Sequence, residues 1–505
     1  RPEHRVRKRR AARRTQADNP RMLPDQAACY AALLAHDARF DGRLYVGVRS
    51  TGVYCRPVCR VRMPRRENCR FFASAAAAER NGFRPCLRCR PELAPGRAGI
   101  DIGSRLAQGA ARLIEAGEFD AGGVEAVAAR VGTSSRHLRR VFGEEFGVSP
   151  VEYAQTHRLL LAKRLLTDTD LPATEVASAS GFHSLRRFNA AFRERYRLSP
   201  SQLRANAGAA PASTMRFRLA YRPPYDWQRV MAFLSSRCIE GVESVRGGTY
   251  RRTVRWRAAG RELHGALAMR PLPSRALVDV ELSASLAGAI PAILQRVRDV
   301  FDLDCEPLEV QRALAAGPAP APTGDGPMRL IGAFEGFELA VRGIVGQQIT
   351  VKAARTIVSR LVALHGEPLD GAARAGPARL FPSAATIASL DEGEIAALGL
   401  PGARARSIRA LARALADGAL VLEPRAQAEA TIAALQAIPG IGDWTAQYIA
   451  MRALCWPDAF PAGDLAVLRA LGARTPAQAR ERAHGWRPWR AYAVMNLWTS
   501  TGGTT

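Results

Sequence analysis

Ala437-Ile-Pro-Gly-Ile-Gly-Asp-Trp-Thr-Ala (437–446) is the stretch on which the reading of the C-terminal half turns. Gly440 and Gly442 permit a tight hairpin, and a helix opens directly after it, so backbone N–H groups and a helix N-terminus are presented together to a phosphate. An acidic residue follows at a fixed distance: Asp464 lies twenty-two residues after Gly442, in Phe460-Pro-Ala-Gly-Asp-Leu. Trp444 and Tyr448 are four apart and therefore share one helical face, where electron-rich rings suit a cationic ring system.

A chain of 505 residues exceeds what one core supports, so several domains are expected. The 73 Lys and Arg against 46 Asp and Glu leave a net charge of +27, which points to a polyanionic partner. No apolar stretch is long enough to span a bilayer, and the basic run of residues 1–14 has no apolar segment behind it, which excludes a secretory signal. It reads as part of a disordered basic tail over 1–23. Nine thinly spread cysteines fit a reduced, cytoplasmic compartment. Ala/Pro/Gly-rich stretches at 205–211 and 315–327, with a shorter break at 91–99, divide the rest into four blocks, 24–95, 100–205, 213–312 and 328–501.

In the first block Cys55 and Cys59 form a C-x3-C pair, and Cys86 and Cys89 a C-x2-C pair, the spacing by which two knuckles surround one tetrahedral Zn2+. Arginines crowd them, among them Arg56, Arg60, Arg62, Arg84, Arg88 and Arg90, a distribution suited to a phosphate backbone. Thr51-Gly-Val-Tyr-Cys-Arg-Pro-Val-Cys-Arg (51–60) and Gly82-Phe-Arg-Pro-Cys-Leu-Arg-Cys-Arg-Pro (82–91) closely resemble the N-terminal domain of the Ada methylation-response family. The resemblance implies that Cys55 takes a methyl group irreversibly from a DNA methyl phosphotriester, and that Arg62, Arg84 and Arg88 contact DNA. Zinc would hold the sulfurs as thiolates, and loss of one negative charge on methylation would raise DNA affinity.

The second block contains a near-repeat. Val-Ala-Ala-Arg-Val-Gly (127–132), ending at Ser149-Pro150, recurs as Val-Ala-Ser-Ala-Ser-Gly (176–181), ending at Ser199-Pro200. Each copy has helix-turn-helix spacing. Ser134 or Ser135 is available to cap a second helix bearing Arg136, Arg139 and Arg140, while the other copy carries Arg186 and Arg187. With a helix over 152–166 between them, the two copies resemble the AraC-type DNA-binding domain.

The usual Ada protein ends in an alkylguanine transferase with a Pro-Cys-His-Arg motif, and none is present here. Instead the chain from about residue 213 resembles AlkA-type 3-methyladenine DNA glycosylases of the helix-hairpin-helix superfamily. The resemblance rests on the hairpin, on Ala340-Val-Arg-Gly-Ile-Val-Gly-Gln-Gln-Ile-Thr (340–350) and on Trp486-Arg-Pro-Trp-Arg-Ala-Tyr (486–492). It implies that Asp464 is the catalytic carboxylate, that Trp444, Tyr448 and Trp498 line the base pocket, and that Gly440 and Gly442 meet the phosphate. Trp444 stands where strand-cutting relatives have a lysine, and no four-cysteine iron–sulfur loop follows, so a monofunctional glycosylase is expected. Gln348 matches the family's wedge leucine, and Asp443 replaces an arginine and is available to cap the helix.

The fold class expected is a multidomain mixture of α+β and mainly α units: a small zinc-bound domain, tandem helix-turn-helix units, an α+β subdomain and an all-helical glycosylase domain. The function expected is a DNA-alkylation sensor and repair enzyme in a bacterial, nucleoid-associated setting. Its partners would be damaged and promoter double-stranded DNA and RNA polymerase, with no membrane. The alternative is a transcription regulator whose glycosylase fold serves only to bind DNA.

Overall fold

The computed structural model describes residues 23–96, 105–205, 214–258, 260–317, 326, 328–370, 376–424 and 427–500. Residues 1–22 of the expected basic tail and most of the two long linkers fall outside them.

The N-terminal unit is a four-stranded sheet of order β3-β1-β2-β4, made from β1 (Tyr45–Val48), β2 (Val53–Cys55), β3 (Cys69–Phe72) and β4 (Arg84–Pro85). Gly47 is required where it stands, because a Cβ there would lie 2.8 Å from the Phe72 ring and 2.9 Å from Phe83. β2 pairs with β4 in parallel, Tyr54 against Pro85, and Cys86 N donates to Tyr54 O at 3.0 Å. That register sets the two cysteine pairs side by side.

Helices follow. Ser134 accepts from His137 N at the head of Ser135–Phe146, and Ser184 accepts from Arg187 N at the head of Leu185–Tyr196. The turns before them hold Gly132 and Gly181 at φ +74° and +77°, a region that costs other residues strain. Between the copies runs Pro150–Asp168, started by a Ser149/Glu152 capping box and longer than expected by two residues at each end.

A five-stranded antiparallel sheet of order β5-β9-β8-β7-β6 comes next, built from β5 (Thr214–Ala220), β6 (Glu243–Arg246), β7 (Thr249–Ala258), β8 (Arg261–Leu272) and β9 (Leu277–Ser283). β5 alternates exposed Arg216 and Arg218 with buried Phe217 and Leu219, as a sheet with one solvated face demands. The remainder is helical except for one isolated bridge among the described residues, Pro368 with Arg379. Its backbone is pinned to the sheet unit by Thr253, whose Oγ1 donates to Arg379 O at 2.7 Å.

The apolar cores do not follow the chain's apparent divisions. The four-stranded sheet and the first helix-turn-helix copy share one core through Tyr54, Phe72, Phe142 and Phe146. The second copy contributes Phe188, Phe192 and Tyr196 to the large core that continues through the five-stranded sheet into the last helix. Buried ion pairs join the first unit to the linker helix. Lys163 Nζ lies 2.6 Å from Glu92, both side chains nearly inaccessible, and Arg90 makes a two-pronged pair with Asp168 at 2.8 Å.

Glu79 sits at the same junction, accepting from Tyr54 Oη at 3.0 Å and Thr156 Oγ1 at 3.1 Å, with Arg195 at 3.4 Å. Burial outweighs these partners and raises its pKa from 4.5 to about 7. The protonated form is therefore the one the fold favours. Its contribution is complete below 4.5 and lost as pH rises through about 7. That shift corresponds to about 3 kcal/mol. Urea denaturation of wild type and Glu79→Gln at about pH 5 and about pH 8 checks it. The wild type is expected to lose more stability over that interval than the variant, and equal losses would contradict the assignment.

Candidate active site and metal centre

The parallel β2/β4 pairing delivers Cys55 and Cys86 at neighbouring strand ends, and a tight turn after each returns Cys59 and Cys89. All four Sγ atoms lie within 4.8 Å of one another, and three of the four residues are buried. Four thiols converging without a disulfide suit one tetrahedral zinc with Zn–S bonds of about 2.3 Å. Cys89 is the most exposed, but its Sγ accepts a hydrogen bond from Arg56 N at 3.4 Å, which draws charge from that sulfur. Arg62 and Arg88 are exposed and Arg84 half-buried.

Two arginines of the cluster are not available to phosphate. Arg56 is locked onto buried Asp41 and also donates to Cys89 O at 3.3 Å, and Arg90 is held by Asp168, Thr167 and Glu92. Proximity in sequence to the cysteines was the only sign they gave, and it does not separate a ligand-loop brace from a DNA contact.

On the recognition helices Arg136, Arg186 and Arg187 are exposed and, among the described residues, carry no ion pair. Arg139 is exposed but pairs with Glu125 at 3.1 Å.

At the C-terminal site Asp464 caps the helix Leu465–Ala470, its Oδ1 accepting from Ala466 N at 3.0 Å and Val467 N at 3.1 Å. The same oxygen accepts from Trp498 Nε1 at 3.1 Å, and Oδ2 accepts from Trp444 Nε1 at 3.1 Å. Trp444 and Tyr448 stack with centroids 5.4 Å apart and planes 5° from parallel, and Trp498 tilts against Tyr448 at 6.1 Å. All four residues singled out in sequence are thus one cluster, each half-buried.

Gly440 joins Ala428–Gln436 to Asp443–Arg452 at φ +88°, and a Cβ there would lie 2.2 Å from Ser407 Oγ, which itself donates to Pro439 O at 2.7 Å. Gly442 is the N-cap, with φ −83° and nothing within 4 Å of an added Cβ. Asp443 does not cap the helix. It is the first helical residue, and its carboxylate pairs with Arg480 at 2.7 Å. Gln348 is exposed at φ +57° in the turn between Gly336–Val345 and Val351–His365. Its neighbour Gln347 ties that turn to the hairpin, donating to Gly440 O at 3.0 Å and Thr445 Oγ1 at 2.9 Å.

Sequence reading passed over Gln347, Ser407 and Arg452. Arg452 alone gave a signal, because it extends the four-residue spacing of Trp444 and Tyr448 by one more turn.

Four family descriptions match the chain in series. They are the metal binding domain of Ada over 28–92, a helix-turn-helix domain over 127–206, the AlkA N-terminal domain over 216–335 and the HhH-GPD superfamily of base excision DNA repair proteins over 341–484. A Mycobacterium tuberculosis protein, described as a probable bifunctional transcriptional activator/DNA repair enzyme AlkA, is 40% identical over 496 residues. The match covers 95% of this chain and 97% of that one. The chain belongs to this AlkA family. Escherichia coli DNA-3-methyladenine glycosylase 2 is 34% identical over 57% of the chain and 98% of its own length. The Escherichia coli bifunctional transcriptional activator/DNA repair enzyme Ada is 36% identical over 29% of the chain and 40% of its own length. The match to the metal binding domain of Ada covers all four clustered cysteines, so one Zn2+ belongs to them.

The two hairpin glycines differ in what they require. Gly440→Ala is expected to destabilise by at least roughly 1–3 kcal/mol, from positive φ and the clash with Ser407, whereas Gly442→Ala costs only about 0.5 kcal/mol, the penalty for alanine at an N-cap. Thermal denaturation of the two variants checks this.

Proposed function

We propose that the chain senses and repairs DNA alkylation damage, excising alkylated bases at Asp464, accepting a phosphotriester methyl on Cys55, and directing transcription through the helix-turn-helix pair. The observation that carries the excision reading is the Asp464 carboxylate held by two indole N–H groups and a helix N-terminus beside a parallel Trp–Tyr stack. A target base flipped from the duplex would meet the rings of Trp444, Tyr448 and Trp498, which attract a cationic purine. Gln348, in a strained exposed turn, would fill the gap it leaves. Hairpin N–H groups at Gly440 and Gly442 would hold the flanking phosphate.

The C1′–N bond breaks with its electron pair passing to the base, which a ring cation already favours. Asp464 stabilises the positive charge on the sugar, a water oxygen adds to C1′, and the water releases its proton. Oδ1 is occupied by three N–H donors while Oδ2 has one, so Oδ2 is the oxygen with capacity to face the sugar. Trp444 in place of a lysine supports a monofunctional hydrolase, since no amine is offered there to form a Schiff base with the sugar.

At the other end, bound zinc would keep the four cysteines as thiolates. Cys55 Sγ attacks the methyl carbon, the phosphate leaves as a diester, and the sulfur becomes a thioether, so the reaction occurs once per molecule. Arg62, Arg84 and Arg88 would seat the backbone for it, and Arg136, Arg139, Arg186 and Arg187 would enter the grooves of promoter DNA. RNA polymerase is then the expected recipient of the signal.

Two measurements test these readings. Base release from methylated duplex DNA is expected from wild type, with Asp464→Asn slower by on the order of 10²–10³-fold. No release by wild type leaves the regulator-only alternative. Intact-mass analysis after incubation with methyl phosphotriester DNA is expected to show one added methyl, mapped to Cys55. An unmodified protein, or a methyl on another cysteine, refutes the assignment.

A further inference from the structure

The mechanism above leaves unused the charge behind Tyr448. Arg452 stands one helical turn beyond that ring, with its guanidinium 5.9 Å from the ring centroid and Nη1 donating to Tyr448 Oη at 3.4 Å. Its Nε donates to Ile331 O, and Nη2 to Gly332 O at 3.1 Å. Every one of these acceptors is neutral. Arg452 is only 5% exposed, and among the described residues it has no ion pair.

Arg237 repeats the pattern. Its guanidinium lies 3.9 Å from the centroid of Phe233, the ring that Arg452 also faces at 5.0 Å. It donates to Phe233 O at 3.3 Å and Ser236 Oγ at 2.9 Å, again without a carboxylate. Neighbouring Arg342, by contrast, is paired with Glu243 and Glu338, both at 3.1 Å. Burial lowers the pKa of both unpaired arginines, that of Arg237 to about 10, which leaves Arg237 charged at neutral pH. Arg452 is buried and Arg237 half-buried, and among the described residues neither has a carboxylate within ion-pair distance, a costly placement for charge that calls for a use.

We propose that Arg452, backed by Arg237, is a polarising residue of the excision site, setting a fixed positive charge behind Tyr448, the ring packed against both indoles, Trp444 and Trp498, that are bonded to the Asp464 carboxylate. The inference rests on the excision reading. Breaking the C1′–N bond moves an electron pair from the sugar side to the base. A cationic base becomes neutral and a neutral base becomes anionic. Either way negative charge moves towards Arg452 while positive charge appears near Asp464, so the charge pair favours departure of both kinds of base. On binding the two differ, because only a cationic base is repelled. The arginine therefore accelerates cleavage while weakening capture of the charged lesion.

That split separates a polarising role from simple support of Tyr448, whose loss would weaken binding of every base. A unit charge about 10 Å away at an effective dielectric near 20 changes a rate or affinity on the order of tenfold. The experiment measures single-turnover release of 7-methylguanine, its half-saturating enzyme concentration, and competition by a duplex carrying neutral hypoxanthine. Arg452→Met is expected to lower the plateau rate about tenfold, to lower the half-saturating concentration for 7-methylguanine, and to leave the competitor unchanged, with Arg452→Lys restoring the rate. An unaltered plateau rate, or weaker binding of both duplexes, overturns the proposal. If melting shows that Arg452→Met does not fold, Arg237→Gln decides, with the same directions at smaller size, and no shift in it overturns the proposal. Absence of release by wild type is a different outcome, and it removes the excision reading itself.

Discussion

The carboxylate of Asp464 is where three separate helices meet. It caps the short helix that follows it, accepts from Trp444 on the hairpin's second helix, and accepts from Trp498 on the last helix. Each donor is the only polar atom of its indole or an orphan N–H of a helix start, so the arrangement satisfies groups that would otherwise be stranded in a half-buried setting. The rings are oriented by these bonds, and the Trp444–Tyr448 stack follows from their orientation. The site's shape is thereby a consequence of one acidic side chain having four donors.

Much of this was legible in the sequence, for different physical reasons at different places. The zinc ligands were readable because metal geometry imposes short spacings within each pair. β5 and β9 were readable from their largely alternating apolar and polar residues, and the turn glycines from the αL backbone that helix-turn-helix geometry needs. Asp464, Trp444, Tyr448 and Trp498 were found through resemblance combined with helical spacing, and they converge as expected.

What was not legible is pairing across long separations. Arg56 and Arg90 look like phosphate contacts until Asp41 and Asp168 are seen beside them, and Asp443 looks like a cap until Arg480 is. Charge type can be read locally, whereas these partners lie 15 to 78 residues away and are set only by packing. The same applies to Glu79, which three elements approach at once, and to Gln347, whose amide joins two turns that are 93 residues apart in sequence.

The continuity of the large core across the second helix-turn-helix copy and the glycosylase half bears on how such a fusion holds together. Phe188, Phe192 and Tyr196 are buried in the same apolar network as the last helix. The first copy belongs to the zinc unit's core instead, so the tandem repeat is split between two partners by the helix Pro150–Asp168 that spans it. Separating reader from enzyme would strip apolar cover from both. The two halves are thus co-stabilised rather than merely tethered, and a core mutation in one is inherited as instability by the other.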